Sequence, residues 1–210
     1  MKITQTNKAY NNIRQAILNK DLIPGYPLTE VELSERLQMS RTPIREALTR
    51  LEAEGMIHVP NGKGYVVKVH SLDEIRQAYE FGGCLEAMAA YLIASSTENI
   101  ENDIVLMEKC VEIMENYVDV SEWVDADDKF HEILRNSCGN EFIKTSLIRV
   151  YGIVHSTRVL ITKILLDKSK STMEHRLTLE KIKQKDASAA QSLMSTHWKR
   201  ITNEVMIILE

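Results

Sequence analysis

Asp127 and His131 stand four residues apart in Asp127-Asp128-Lys129-Phe130-His131. That spacing puts both side chains on one face of a helix. His175 lies further along the chain, and His197 comes 22 residues after it. Three imidazoles and one carboxylate converging from three helices would make a divalent-metal site with open positions for water or a ligand. Neutral imidazole nitrogen and carboxylate oxygen suit zinc, nickel, manganese or iron, and ligand type alone does not choose among them. The same residues also fit a surface Asp/His pair and two solvated or capping histidines, so both readings stay open. A second cluster is Ser40-Arg41-Thr42-Pro43-Ile44-Arg45. Paired arginine N–H groups match guanine O6 and N7 or a phosphate, and the free N–H groups of a helix N-terminus draw phosphate. Its bland counterpart is a helical hairpin carrying two solvated arginines.

The elements that must position the second cluster run from Leu28 to Leu51. Val31, Leu33 and Leu37 mark one short helix, and Ile44, Ala47, Leu48 and Leu51 mark another with one apolar side. Ser40 or Thr42 can cap the second helix, Pro43 suits its first turn, and Glu46 is placed to complete a capping arrangement. Arg41, Thr42 and Arg45 fall outside the apolar stripe. A helix with outward polar residues at its start, braced by a preceding helix, is the helix-turn-helix reader of a DNA major groove. Upstream, Tyr10 to Leu18 forms a first helix that ends before a Pro/Gly turn over Leu22–Leu28. Downstream, Met56–Val59 and Tyr65–Val67 flank Asn61-Gly62-Lys63-Gly64, a strand, Gly-rich turn and strand. Lys63 sits at the tip, where it can approach a phosphate backbone. Together these segments describe a winged helix-turn-helix domain over residues 1–70.

From Leu72 onward the pattern is almost wholly helical, with segments over 72–95, 98–118, 121–137, 140–166, 172–185 and 187–208. No proline occurs after Pro60. The expected architecture is therefore mostly α: the winged domain, then an all-α helical bundle over residues 71–210. The 210-residue chain carries a net charge of −4, with 26 Lys and Arg against 30 Asp and Glu. Its distribution is uneven. Residues 1–70 hold 10 basic and 7 acidic side chains, leaving 16 and 23 for the remainder. Positive charge sits on the part expected to meet phosphate. Cys84, Cys110 and Cys138 form no paired framework and no CxxC motif, which fits a reducing compartment. No stretch of 18 apolar residues and no charged-then-apolar leader is present, so a cytoplasmic protein without membrane association is expected.

The run Leu22-Ile23-Pro24-Gly25, Leu28-Thr29-Glu30, Leu33-Ser34-Glu35-Arg36-Leu37, Ser40-Arg41-Thr42-Pro43-Ile44-Arg45-Glu46-Ala47-Leu48 and Gly62-Lys63-Gly64-Tyr65-Val66-Val67 closely resembles the N-terminal domain of GntR-family bacterial transcriptional regulators. The resemblance implies that Ser40, Arg41, Thr42 and Arg45 touch operator DNA, and that the wing at Gly62, Lys63 and Gly64 lies in or along the minor groove. An arginine that some fatty-acid-responsive members carry in the second helix is here Val31. The second half resembles the FCD ligand-binding domain of one large GntR subfamily. In that pattern an Asp and a His four apart, a His after Glu and a final His hold a divalent metal. Asp127, His131, His175 and His197 fill those positions. The short second domain points to the six-helix, vanillate-regulator-like variant. The family often has an Arg four residues before the Glu that corresponds to Glu86, and here that position is Gly82. The departure leaves Arg149 or Arg158 to supply positive charge, with Gly82 making room or a local kink in the effector pocket.

The function implied is that of a homodimeric DNA-binding regulator reading a pseudo-palindromic operator. A ligand-released repressor is expected, sensing a small organic acid, a carboxylate by preference, at a metal-containing pocket with zinc the first choice. One alternative is a metal-responsive regulator without an organic effector. Another is a metallohydrolase carrying a DNA-binding module, against which stand the missing HExxH base, phosphate loop and Ser/His/Asp signature.

Overall fold

The structure is a computed structural model that describes residues 4–18, 21–62, 64–162 and 167–210, without the side chains of residues 61, 155, 156 and 158–162. The described chain forms two compact units, Met1–Ser71 and Leu72–Glu210.

In the first unit the apolar stripes expected from spacing meet one another. Helix α1 (Gln5–Leu18) buries Ala9, Tyr10, Ile13 and Ile17 in the same core as Ile44, Ala47, Leu48 and Leu51 of α3 (Arg41–Ala53). Between them lies α2 (Glu30–Leu37), capped at Thr29, whose side chain accepts from the Glu32 amide at 3.1 Å. The chain leaves α2 through Gln38 in the left-handed region, φ 52°, with the Gln38 and Met39 amides returning to Glu35 and Ser34. This one-residue reversal aims α3 away from α2. Ser40 has the extended backbone of an N-cap but makes no side-chain capping bond. Glu46 does not complete a cap either: its carboxylate accepts from the Thr6 hydroxyl at 2.6 Å.

The wing is built from β2 (Ile57–His58), a 3-10 turn at Pro60–Gly62 and β3 (Tyr65–Val67). A third strand, β1 (Pro27–Leu28), occupies residues whose sequence reads as part of a turn. It pairs antiparallel with β3, so the order is β1-β3-β2, with Leu28 opposite Tyr65 and Ile57 opposite Val67. Two residues are too few to show an alternating pattern, and Pro27 is tolerated because β1 is an edge strand.

The second unit contains six helices among the described residues. They are α4 (Leu72–Ser95), α5 (Glu101–Asn116), α6 (Val120–Ser137), α7 (Glu141–Thr162), α8 (Lys168–Lys183) and α9 (Ala187–Leu209). Asp119, Asp167 and Asp186 cap α6, α8 and α9 by accepting from backbone amides. A tight turn through Lys185, φ 57°, folds α9 back along α8. At the centre α4 runs unbroken through Gly82 and Gly83. A Cβ on Gly83 would lie 2.6 Å from Trp198 Cβ on α9, and one on Gly82 would lie 3.1 Å from Val150 Cγ1 on α7. The glycine pair thus allows close helix approach within a continuous α4. Among the described residues no helix is long and apolar enough to cross a membrane.

Candidate functional site

Asp127 and His131 project one turn apart from α6, His175 comes from α8 and His197 from α9. All four are buried, with exposures of 0%, 1%, 0% and 4% in that order. One ligand nitrogen from each imidazole lies within 4.8 Å of the others. Asp127 Oδ1 is 2.7 Å from His175 Nε2, and Asp127 Oδ2 is 3.9 Å from His131 Nε2. Phe130 stacks on the His175 ring with centroids 4.6 Å apart. Nitrogens sharing one zinc ion at bond lengths of ~2.0–2.1 Å lie roughly 3–4 Å apart, so small side-chain shifts would close this set on an ion. The donor chemistry fits too. Burial, then the neighbouring His175, pushes His197 well below the usual imidazole range and keeps it neutral, the form that ligates.

Residues that sequence reasoning does not assign to the site surround this set. Glu86 of α4, fully buried, stands 2.5 Å from His131 Nδ1 and accepts from the Tyr151 hydroxyl at 2.6 Å and the Trp198 indole at 3.3 Å. Burial works to raise the Glu86 carboxyl, but its interaction with His131 and the bond from Tyr151 outweigh it and hold Glu86 below the usual range. Tyr151 is pushed well above its ordinary value, first by burial and then by the charge of Glu86, and so stays a donor. Glu174 stands 2.7 Å from His197 Nδ1 and takes the Arg200 guanidinium at 2.9 and 2.5 Å. Burial raises Glu174, yet His197 and Arg200 overcome it and bring the carboxyl down to about 2. Glu174 precedes His175 in sequence but serves His197, a pairing only helix packing reveals.

Beside the imidazoles lies a small cavity of about 10 Å³, room for roughly one water, walled by Tyr79, Trp123, Trp198, Val154 and Ile201. Ser171 and the site's own Asp127, His131 and His197 supply its polar lining. The proposed pocket residues fare differently. Arg149 is exposed on α7 and absent from this lining. Gly82 is buried against Val150 and does not open the cavity. The Arg158 side chain lies outside the described residues. Among the described residues, Arg200 reaches the ligand set through Glu174, and it is also bound to Ser171 and Glu204 at 2.8 Å each.

In the first unit Ser40, Arg41, Thr42 and Arg45 cluster at the start of α3, with both arginines exposed. Arg45 is bound by both carboxylate oxygens of Glu30 on α2, at 2.7 and 2.9 Å. Gly62 and Gly64, with φ of 71° and 63°, form the wing tip, and Lys63 lies outside the described residues.

Comparison with known proteins decides what the two units are. Residues 5–67 match the family of bacterial regulatory proteins named gntR, and residues 77–200 match the FCD domain. The chain belongs to the GntR family, in its FCD-containing group. Among its relatives is the HTH-type transcriptional regulator YdhC of Bacillus subtilis strain 168, 27% identical and covering 96% of this chain and 91% of that one. Another is the HTH-type transcriptional repressor RspR of Escherichia coli K12, 24% identical over 93% of this chain and 86% of that one. The fold of E. coli McbR/YncC superposes with a TM-score of 0.81 at 17% identity, covering 99% of this chain and all of the other. The regulator is thus a DNA-binding transcription factor with an effector-domain fold. Its relatives along the whole length are regulators, which removes the metallohydrolase alternative.

Proposed function

We propose that this regulator works in the cytoplasm as a homodimer on a pseudo-palindromic operator, and is a repressor released by a small organic acid. Arg41, Thr42 and Arg45, with Ser40, enter the major groove from the start of α3, and the wing at Gly62, Lys63 and Gly64 tracks the minor groove. Basic charge concentrated on residues 1–70 supports this assignment. Phe81, Met88 and Tyr91, exposed along one outward face of α4, and Phe142 and Ile148 on α7 supply the apolar surface for a second copy.

Asp127, His131, His175 and His197 would hold a divalent metal, zinc first among the candidates, and the ion would offer a Lewis-acid seat for a carboxylate. The observation that carries this reading is the three buried imidazole nitrogens gathered within 4.8 Å. The cavity beside them, about 10 Å³, has largely apolar walls and would have to widen by side-chain movement to admit an organic acid. With Arg149 on the surface and Arg200 occupied by Glu174, no arginine among the described residues lines the cavity to meet the carboxylate. The effector is therefore a small acid with an apolar body.

Elemental analysis of the untagged protein tests the centre. About one divalent metal per chain is expected, lost in His175→Ala. No metal in either protein after reconstitution overturns the centre and leaves the DNA-binding assignment intact. Operator affinity that tracks metal alone, with no response to organic acids, would replace the effector by the metal itself.

A further inference from the structure

Each of two imidazoles in the metal centre is held from behind by a carboxylate. His131 turns Nδ1 to Glu86 at 2.5 Å, and His197 turns Nδ1 to Glu174 at 2.7 Å. An imidazole that donates Nδ1–H to a carboxylate keeps its lone pair on Nε2, and its ring plane is set by that bond. Both carboxylates are themselves held. Glu86 accepts from Tyr151 on α7 and Trp198 on α9, while Glu174 takes Arg200 on two N–H groups. Each histidine is therefore oriented by a chain of bonds drawing on several helices.

We propose that Glu86 and Glu174 are positioning residues that fix His131 and His197 as ligands through Nε2. The inference rests on the metal centre proposed above. A structural role alone would not call for a carboxyl at Glu86. Isolated buried ions are costly, and well-packed neutral residues of similar volume often replace them without loss of stability. Glu86 has 0% exposure, yet its carboxyl meets one imidazole, one phenol and one indole. A buried carboxyl that takes donors from three helices and faces the Nδ1 of an imidazole suits orientation of that imidazole as a ligand. The two clamps also leave the third imidazole differently placed: His175 stacks on Phe130 and brings Nε2 to Asp127. The centre would thus have two histidines of set tautomer and one Asp/His pair that the ion must part.

The test uses the full-length protein, wild type, Glu86→Gln and Glu174→Gln, with zinc alone as probe. Long-range proton–nitrogen NMR reads histidine tautomers, and competition with a chromophoric chelator reads zinc affinity. In the metal-free wild type, His131 and His197 should be Nδ1–H tautomers, and zinc should move Nε2 of each. Glu86→Gln should disturb only the His131 signals and Glu174→Gln only those of His197. Each variant should lose roughly 10- to 100-fold in zinc affinity while keeping the wild-type circular dichroism. Nε2–H tautomers in the wild type, zinc on Nδ1, or variants that hold zinc as tightly as wild type would overturn the proposal while the metal centre stood. A wild type that takes no zinc would overturn the centre, and the ligand role of both histidines with it. Should either glutamine variant fail to fold, the wild-type tautomers and the other variant decide.

Discussion

Arg45 has two partners to choose between. In the free protein Glu30 accepts from two of its guanidinium nitrogens, yet the Arg45 side chain is 65% exposed, so water screens the pair and it adds little to stability. Operator DNA offers a phosphate or guanine edge of the same bidentate geometry. Arg45→Ala is therefore expected to leave the melting temperature nearly unchanged and to weaken operator binding at least tenfold, about 1.4 kcal/mol. Fluorescence anisotropy at fixed salt checks this, and unchanged affinity would remove Arg45 from the interface. Tyr10 is a residue whose chemistry shows in pH. Burial first, and the bond to Glu54 second, raise its phenol to about 12 from an ordinary value of 10. A raised acid favours the neutral form in the fold. Its contribution is present below pH 10 and is lost as pH climbs through 12. The stability difference between wild type and Tyr10→Phe, measured by denaturant melts, should shrink across that window; a constant difference would show the phenol untouched by folding.

At the scale of elements, α4 and α9 are joined by a contact that no helical pattern announces. A methyl group at Gly83 would meet Trp198 Cβ at 2.6 Å, and a Cβ cannot swing aside as a side-chain tip can. Alanine gains about 1 kcal/mol of helix propensity over glycine, while overpacking costs about 1–3 kcal/mol. Gly83→Ala should come out destabilising by about 1–2 kcal/mol in thermal melts. Since Trp198 donates to Glu86 beside His131, the variant should also bind zinc less tightly. A more stable variant would mean the helices can part freely. The six helices of the second unit are legible in sequence to within a few residues at most of their ends, because periodicity and the breaks at Gly139 and Lys185-Asp186 are local signals. Strand β1 is not, since its two residues acquire strand character only by pairing with β3.

At the scale of the whole molecule, the proposed dimer needs an apolar face. Phe81, Met88 and Tyr91 are exposed at 51%, 39% and 37% on a helix otherwise rich in buried residues. If a second copy covers them, Phe81→Asp combined with Met88→Asp should give monomers in analytical ultracentrifugation. Circular dichroism should be unchanged and operator affinity strongly reduced, because each monomer would read one half-site. Dimers of undiminished stability would place the interface elsewhere. The spacing of these apolar positions along α4 is visible in the sequence; their exposure is a fact of tertiary packing.

By itself the sequence determined the GntR domain and the helical character of the second half. Turn residues, caps and apolar spacing act over a few positions, and their order survives without a fold. The three histidines were marked by resemblance, but their distances were not. Only the tertiary structure decided that Glu86 and Glu174 stand behind His131 and His197, that Arg200 reaches His197 through Glu174 while Arg149 is exposed, and that Gly82 and Gly83 lie against neighbouring helices. Those hydrogen-bonded partners lie 23 to 112 residues apart in the chain, and side chains so separated meet only where helices are packed together.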